Sequence, residues 1–249
     1  VAKAGKTTAG RTGGRRAGRA RASGARRSLL RRVLVAAGRV AAGTAALVLG
    51  LVLLFAVVNP PVTHTIWSEG RRLGGVERQW VAGDAIAPVM FRAVVAAEDA
   101  NFCRHWGFDM GAIRTAIAEG AERGASTISQ QTVKNVFLWQ GRSWLRKALE
   151  AALTPLVEAV WTKRRILVVY LNVAEFGEGI FGVEAAARHY YGIPAAELSP
   201  AQAARLAVVL PNPKARNPTA LSQTLRRRAA RIADGAETIR ADGRAACFE

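Results

Sequence analysis

The sequence predicts a mainly α-helical domain carried behind a single membrane-spanning helix. Three observations lead there. Val40 to Val58 is a run of nineteen residues without a charge. As a helix it covers roughly 28 Å, close to a bilayer core of about 30 Å. From about Asp84 onward, apolar and polar residues recur at helical spacing nearly throughout, and few runs alternate with period two. Helix starts and stops are also legible, as in Ser199-Pro200-Ala201-Gln202 and Pro211-Asn212-Pro213.

The apolar run competes with two other readings, a signal peptide and a buried helix. A cleavable signal would want a shorter apolar core and a small-residue cleavage site. Here Asn59-Pro60-Pro61-Val62 follows, a poor cleavage site and a good helix stop. The net charge is +18, and residues 1–39 hold twelve Lys or Arg and no acid. That flank predicts a cytoplasmic N-terminus, with residues beyond the span outside. The same residues are rich in Gly, Ala and Arg and lack aromatics. They read as a disordered tail attracted to anionic lipid rather than to nucleic acid.

Residues 59–83 read as a connecting segment with Pro60-Pro61, Gly70 and Gly74-Gly75. The folded domain is placed at 84–245, about 160 residues, long enough to bury a sizeable core. No internal repeat is present. Pro88 to Ala97 is apolar and predicts a largely buried helix. Asp109 can cap a helix through Glu119. Arg142 to Trp161 predicts a longer helix with Pro155 as a kink. Lys163 to Leu171 predicts a short one. Ser199 caps a helix with Pro200 in its first turn and Gln202 reaching back. Ser222 to Ile239 predicts a last amphipathic helix. Cys103 and Cys247 are the only cysteines. They fit no metal spacing, and whether they pair across 144 residues is left open by the sequence. Cys103 alone reads as a small apolar filler.

Three segments carry residues suited to chemistry. The first is Glu98 with Asp99 and His105. An apolar helix leading into Glu98 would leave that carboxylate at the mouth of a cleft, where burial raises its pKa. An acidic helix end followed by a turn at Gly107 explains the same residues without function. The second is Gly124 to Asn135. Gly124 permits an unusual backbone angle, and Ser126 and Thr127 can cap the next helix. Gln130, Gln131 and Asn135 offer neutral donors and acceptors, and Lys134 adds a charge. An ordinary capped helix with a polar face is the plain alternative. The third is Arg146-Lys147-Ala148-Leu149-Glu150, where i,i+3 and i,i+4 spacing puts both cations and the carboxylate near one face. A surface ion pair would explain it; beside a cleft it makes an anion-binding patch.

These segments, in this order and spacing, resemble the peptidoglycan glycosyltransferase family. Two more blocks extend the likeness: Lys163-Arg164-Arg165-Ile166-Leu167-Val168-Val169-Tyr170-Leu171-Asn172, and Glu175-Phe176-Gly177 through Ala187. The likeness covers about Val76 to Pro218 and is strongest to the family's monofunctional members. Gly124-Ala125-Ser126 and Trp139-Gln140-Gly141-Arg142-Ser143-Trp144 are in their style. With the chain ending at Glu249, no transpeptidase domain is expected after it. The resemblance implies a lysozyme-like, mainly α fold with a partly hydrophobic small lobe against the membrane. It implies Glu98 as general base toward an acceptor 4-hydroxyl and Glu150 as the second glutamate, on the pyrophosphate side. Lys134, Arg146 and Lys147 match cations that hold pyrophosphate. Asp99, Phe102, His105, Ser126, Thr127, Gln131 and Asn135 match positions that shape the cleft or contact substrate. Cys103 stands where relatives often carry another residue and receives no role.

The implied partners are lipid II, a glycan growing on undecaprenyl pyrophosphate, the membrane and proteins of a cell-wall synthesis complex, with no nucleic acid. No obligatory cofactor is evident; a divalent cation (Mg or Mn) is compatible with the pyrophosphate chemistry. The implied location is the bacterial inner membrane, with a periplasmic catalytic domain. Two rivals are a glycan-cleaving enzyme on a similar fold and a non-enzymatic membrane protein with a basic tail. The first would have no use for Lys134, Arg146 and Lys147. The second would leave all five blocks incidental.

Overall fold

The computed structural model describes residues 1–2, 13–120, 126–141 and 143–249, with residues 13–30 as backbone only. Ten α-helices lie among the described residues, so the domain is mainly α, as its periodicity predicts. Two compact units are present, residues 1–51 and 52–249.

Helix α1 runs Gly13–Val57, and Arg31–Val57 is long and apolar enough to cross a membrane. Disorder was expected for residues 1–39, but the backbone is helical from Gly13 on. Ala and Arg, abundant there, are strong helix formers. Residues 3–12 of that tail lie outside the described residues.

The larger unit begins at Val52, inside α1. Its first residues are tied down by side chains from far along the chain. Trp161 Nε1 donates to Val52 O at 2.7 Å. The Arg165 guanidinium donates to Phe55 O at 2.9 and 3.0 Å, to Val58 O at 2.7 Å and to Asn59 Oδ1 at 2.8 Å. The last carbonyls of a helix have no intrahelical donor, and a cation placed there also meets the negative end of the helix dipole. Val52 is fully buried, and the Phe55 ring meets Phe137 at 6.0 Å. The domain edge expected near residue 84 is therefore too late.

The expected connector, 59–83, is also structured. Helix α2 (His64–Leu73) is capped by Thr63, whose Oγ1 accepts from Ile66 N. Strand β1 (Glu77–Arg78) follows. It pairs in parallel with β3 (Ile180–Phe181), which pairs antiparallel with β2 (Glu175–Gly177). Strands of two or three residues leave no period-two signal, which is why the sequence does not announce this sheet.

Helix α3 (Pro88–Glu98) carries its apolar run into the core, with Met90, Phe91, Ala93, Val94 and Val95 all buried. It packs with α9 (Pro200–Val209) and α10 (Gln223–Ala241). The Ser199–Gln202 capping box forms as expected. Helix α4 (Met110–Ala118) has Asp109 as its cap, accepting from Ala112 N at 2.9 Å. Helix α5 (Ile128–Phe137) packs on α6 (Trp144–Val160) and α7 (Lys163–Val173). Residues Ile166–Val173 of α7 are all buried, so this helix is apolar on every side and lies within the unit. Helix α8 (Val183–Tyr191) follows the sheet. The Arg142 start expected for α6 lies outside the described residues, and Ser143 serves as its cap.

Cys103 and Cys247 form a disulfide. Around it, Arg244 Nη1 donates to Ala100 O at 3.1 Å and Arg164 Nη1 to Phe248 O at 2.7 Å, while Arg92 pairs with Glu249. Phe248 is fully buried against Phe102. The residues after α10 thus fasten the turn that follows Glu98.

Candidate active site

Helix α3 ends at Glu98, and the chain turns sharply there. Asp99 stops the helix with a non-helical backbone, and its carboxylate points inward. Its Oδ2 accepts from Ile128 N at 3.0 Å and its Oδ1 meets His105 Nε2 at 2.8 Å. Ile128 is the first residue of α5, so Asp99 satisfies an N-terminal amide of that helix. Thr127 caps the same helix in a capping box with Gln130, and its Oγ1 donates to Gly107 O at 2.6 Å. Gly107 has φ +86°, and a Cβ there would lie 2.6 Å from Thr154 Cγ2. Only glycine meets both demands.

This buried web contains part of the set expected to shape the cleft or contact substrate. Phe102 is fully buried, between Phe248, His105 and Lys163, whose ammonium sits 4.4 Å from the ring centre. Asp99 and Thr127 are likewise buried and committed to α5. These residues position the turn after Glu98 and the start of α5. Phe102 goes inward because a large ring next to a tight turn gains more from burial than from exposure. Gly124, whose backbone angle was singled out in the sequence, lies outside the described residues.

Glu98 is joined through its partner to a cleft of about 370 Å³. Gln131 lines that cleft, and its Nε2 donates to Glu98 Oε2 at 2.9 Å. Burial pushes the Glu98 carboxyl above the usual glutamate range; the Gln131 hydrogen bond and the charges of Arg228, Lys134 and Arg216 oppose that shift. Lys134 and Asn135 line the same cleft from α5, with Thr65 and Glu69 from α2, Tyr170 from α7 and Lys214 after α9. Burial lowers the Lys134 ammonium from its ordinary value; Glu150 and Glu98 raise it, and Arg146 and Lys147 lower it. Lys134 thus feels both glutamates.

The second glutamate is differently placed. Glu150 is 3 % exposed. Its Oε2 accepts from Arg146 Nη1 at 2.7 Å, and its Oε1 pairs with Lys147 Nζ. Lys147 also donates to Ser126 Oγ at 3.2 Å, and Arg146 Nε to Gly141 O at 2.8 Å. Each oxygen of Glu150 is held by a cation, so this carboxylate organises the charge of Arg146 and Lys147. Asn135 Oδ1 accepts from Gln140 Nε2 at 3.4 Å. The arrangement pairs a desolvated carboxylate fit to take a proton with a cationic cluster fit to hold a leaving anion.

Several residues at the cleft escaped the sequence reading. Glu69 and Lys214 pair at 2.6 Å across 145 residues. Tyr170 is 1 % exposed and donates its hydroxyl to Gln131 Oε1 at 3.1 Å. A lone hydroxyl within Ile166–Leu171 was the available signal for Tyr170; for Lys214 there was none.

The model of a family described as Transglycosylase matches residues 68–237. A biosynthetic peptidoglycan transglycosylase of Jannaschia sp. (strain CCS1) is 63% identical over 203 residues, covering 82% of this chain and 85% of that protein. A biosynthetic peptidoglycan transglycosylase of Yersinia pseudotuberculosis serotype O:1b (strain IP 31758) is 53% identical over 180 residues, covering 68% of this chain and 75% of its own length. On the extent of the family match and the identity to these relatives, the chain belongs to the transglycosylase family and is a glycosyltransferase enzyme.

Proposed function

We propose that the chain polymerises lipid II into linear β-1,4 glycan strands of peptidoglycan and releases undecaprenyl pyrophosphate. The observation that carries this reading is the unequal state of the two glutamates. Glu98 is desolvated and held by one neutral amide, whereas Glu150 is ion-paired to both Arg146 and Lys147. Glu98 takes the proton from the 4-hydroxyl of the acceptor N-acetylglucosamine. The freed oxygen attacks C1 of the donor N-acetylmuramic acid from the face opposite the leaving group. The C1–O bond to pyrophosphate breaks with inversion, and its electron pair leaves with the phosphate. Lys134, Arg146 and Lys147 stabilise the charge as it develops. A positioned base contributes about 10²–10⁴-fold.

Lipid substrate would arrive from the bilayer. Trp144, Leu145, Leu149 and Leu156 are exposed along α6, on the side away from Glu150. An uncovered apolar stripe of this kind favours insertion at a membrane interface, beside the cations proposed to grip the pyrophosphate. The disulfide is of a kind that persists outside the cytoplasm. Together with the basic flank before the span, it supports a periplasmic catalytic unit on the inner membrane. Among the described residues no group of three or more His, Cys, Asp or Glu converges as a metal site. No step of the reading is assigned to a divalent ion. Proteins of a cell-wall synthesis complex are the further partners of this reading.

The test is polymerisation of labelled lipid II by the full chain in proteoliposomes, beside cleavage of preformed wall glycan. Polymer from wild type, and none from Glu98→Gln, is expected. Cleavage without polymerisation would replace this reading with that of a glycan-cleaving enzyme.

A further inference from the structure

Three helices converge on one carboxylate through a short chain of hydrogen bonds. Glu98 closes α3, Gln131 lies on α5 and Tyr170 lies on α7. Tyr170 Oη donates to Gln131 Oε1 at 3.1 Å, and Gln131 Nε2 donates to Glu98 Oε2 at 2.9 Å. We propose that Tyr170 is a positioning residue for the transfer reaction, locking the Gln131 amide so that an N–H always faces Glu98. This deepens the reading of Glu98 as general base and rests on it.

A glutamine side chain presents an acceptor on one side and donors on the other, and the two faces have nearly the same shape. Alone beside Glu98 it could turn either way. With its oxygen toward Glu98 it would repel the carboxylate; with its nitrogen there it stabilises the ionised form. A tyrosine hydroxyl that donates to Oε1 removes the choice. Burial holds the Tyr170 phenol well above its ordinary pKa, with the Glu98 charge adding to the shift, so Tyr170 keeps its proton throughout the working range. The hydroxyl sits in the buried part of α7, beside Val169 and Leu171, where a polar atom costs stability unless it is used. Three linked donors and acceptors also polarise one another.

The consequence is a pH signature. The charged or titratable groups bearing on Glu98 are Lys134 on α5, Arg216 in the loop after α9, Arg228 on α10 and Tyr170 on α7. The acid limb of the rate profile is assigned to Glu98, which burial raises above the usual glutamate range; Glu175, a cleft carboxylate also raised by burial, has no bond to Gln131 or Tyr170 in this relay. Tyr170→Phe removes one oxygen and keeps the ring. The released amide then spends part of its time with oxygen toward Glu98. The acid limb of kcat/KM for lipid II should move to higher pH. Turnover on the acid side should fall roughly ten-fold, the size of one hydrogen bond to a charged group, while KM changes little.

The experiment uses the full chain in proteoliposomes with lipid II, comparing wild type, Tyr170→Phe, Gln131→Met, the double variant and Glu98→Gln across pH. The expected result is an upward shift in both single variants, with the double variant shifted no further than Gln131→Met, because Tyr170 acts only through Gln131. A Tyr170→Phe profile superimposed on wild type, or additive losses in the double variant, would overturn the inference. If Tyr170→Phe is poorly folded, Gln131→Met carries the test. An unchanged acid limb there removes the relay. The controlling arm is Glu98→Gln. If it polymerises at the wild-type rate, the base reading itself fails. If it is inactive while the Tyr170→Phe limb stays put, only the relay fails.

Discussion

Glu98 and Glu150 are the same residue type in opposite circumstances, and their substitution should separate binding from chemistry. Glu98→Gln keeps size and hydrogen bonding but cannot accept a proton. It should bind lipid II nearly as wild type while turnover falls by about 10²–10⁴-fold, measured as kcat against KM. Since burial raises the Glu98 carboxyl, activity in the wild type should rise with pH along a limb lying above the usual glutamate range. A limb at or below that range would show that another group is being titrated. Glu150→Gln removes the shared anion between Arg146 and Lys147. Like charges would then face each other without a partner, so binding and turnover should fall together. Arg146→Ala and Lys134→Ala should each weaken affinity for lipid-pyrophosphate by about 1.5–3 kcal/mol. Lys147→Arg, which keeps charge and changes geometry, should lose less. Titration calorimetry with a soluble lipid-pyrophosphate analogue would check this, and unchanged affinity in both alanine variants would remove the pyrophosphate assignment.

At the scale of elements, the last turns of α1 belong to the catalytic unit. Arg165 and Trp161 occupy carbonyls from Val52 to Val58, and Val52 and Phe55 cover apolar surface of α5 and the α6–α7 junction. A chain beginning at Leu51 should therefore be more stable than one beginning at Asn59. Loss of one buried and one half-buried apolar side chain, at up to about 1.5–3 kcal/mol each, sets an upper scale of about 3–6 kcal/mol. Urea midpoints of the two chains in the same detergent would measure it. Equal midpoints would mean that these contacts add nothing. The same contacts explain why a boundary drawn where the apolar run stops is misplaced: α1 serves lipid and protein in succession without a break in its apolar pattern.

For the molecule as a whole, the Cys103–Cys247 disulfide joins the turn after Glu98 to the residues after α10 across 144 positions. Reduction, or the double Cys103→Ser/Cys247→Ser change, should cost about 2–5 kcal/mol. The readout is the thermal midpoint with and without reductant, and the double serine variant should no longer respond to reductant. A midpoint unmoved by reduction would show that Arg244, Arg164 and Arg92 hold the strap unaided. Topology follows from the twelve cations that precede Val40. A reporter fused after Glu249 should be active only outside the cytoplasm, and strong cytoplasmic activity would make access to lipid II on that side untenable.

What the sequence determined by itself was whatever depends on neighbours within about one helical turn. Thr127, Ser199 and Asp109 announced their helices because a capping hydroxyl or carboxylate acts three residues ahead. The apolar run of α3 announced burial, and Arg146, Lys147 and Glu150 announced their cluster because i,i+3 and i,i+4 positions share a face. Tertiary structure decided everything that joins distant positions. It turned Phe102 into the core, away from the cleft, and brought Asp99 to Ile128 and Lys214 to Glu69. It also closed the disulfide and linked Glu98 to Gln131 and Tyr170. The physical reason is that a local pattern fixes which face of a helix is polar. Which partner that face meets is set by how the helices cross, and that is settled only when apolar surfaces from the whole domain are buried together.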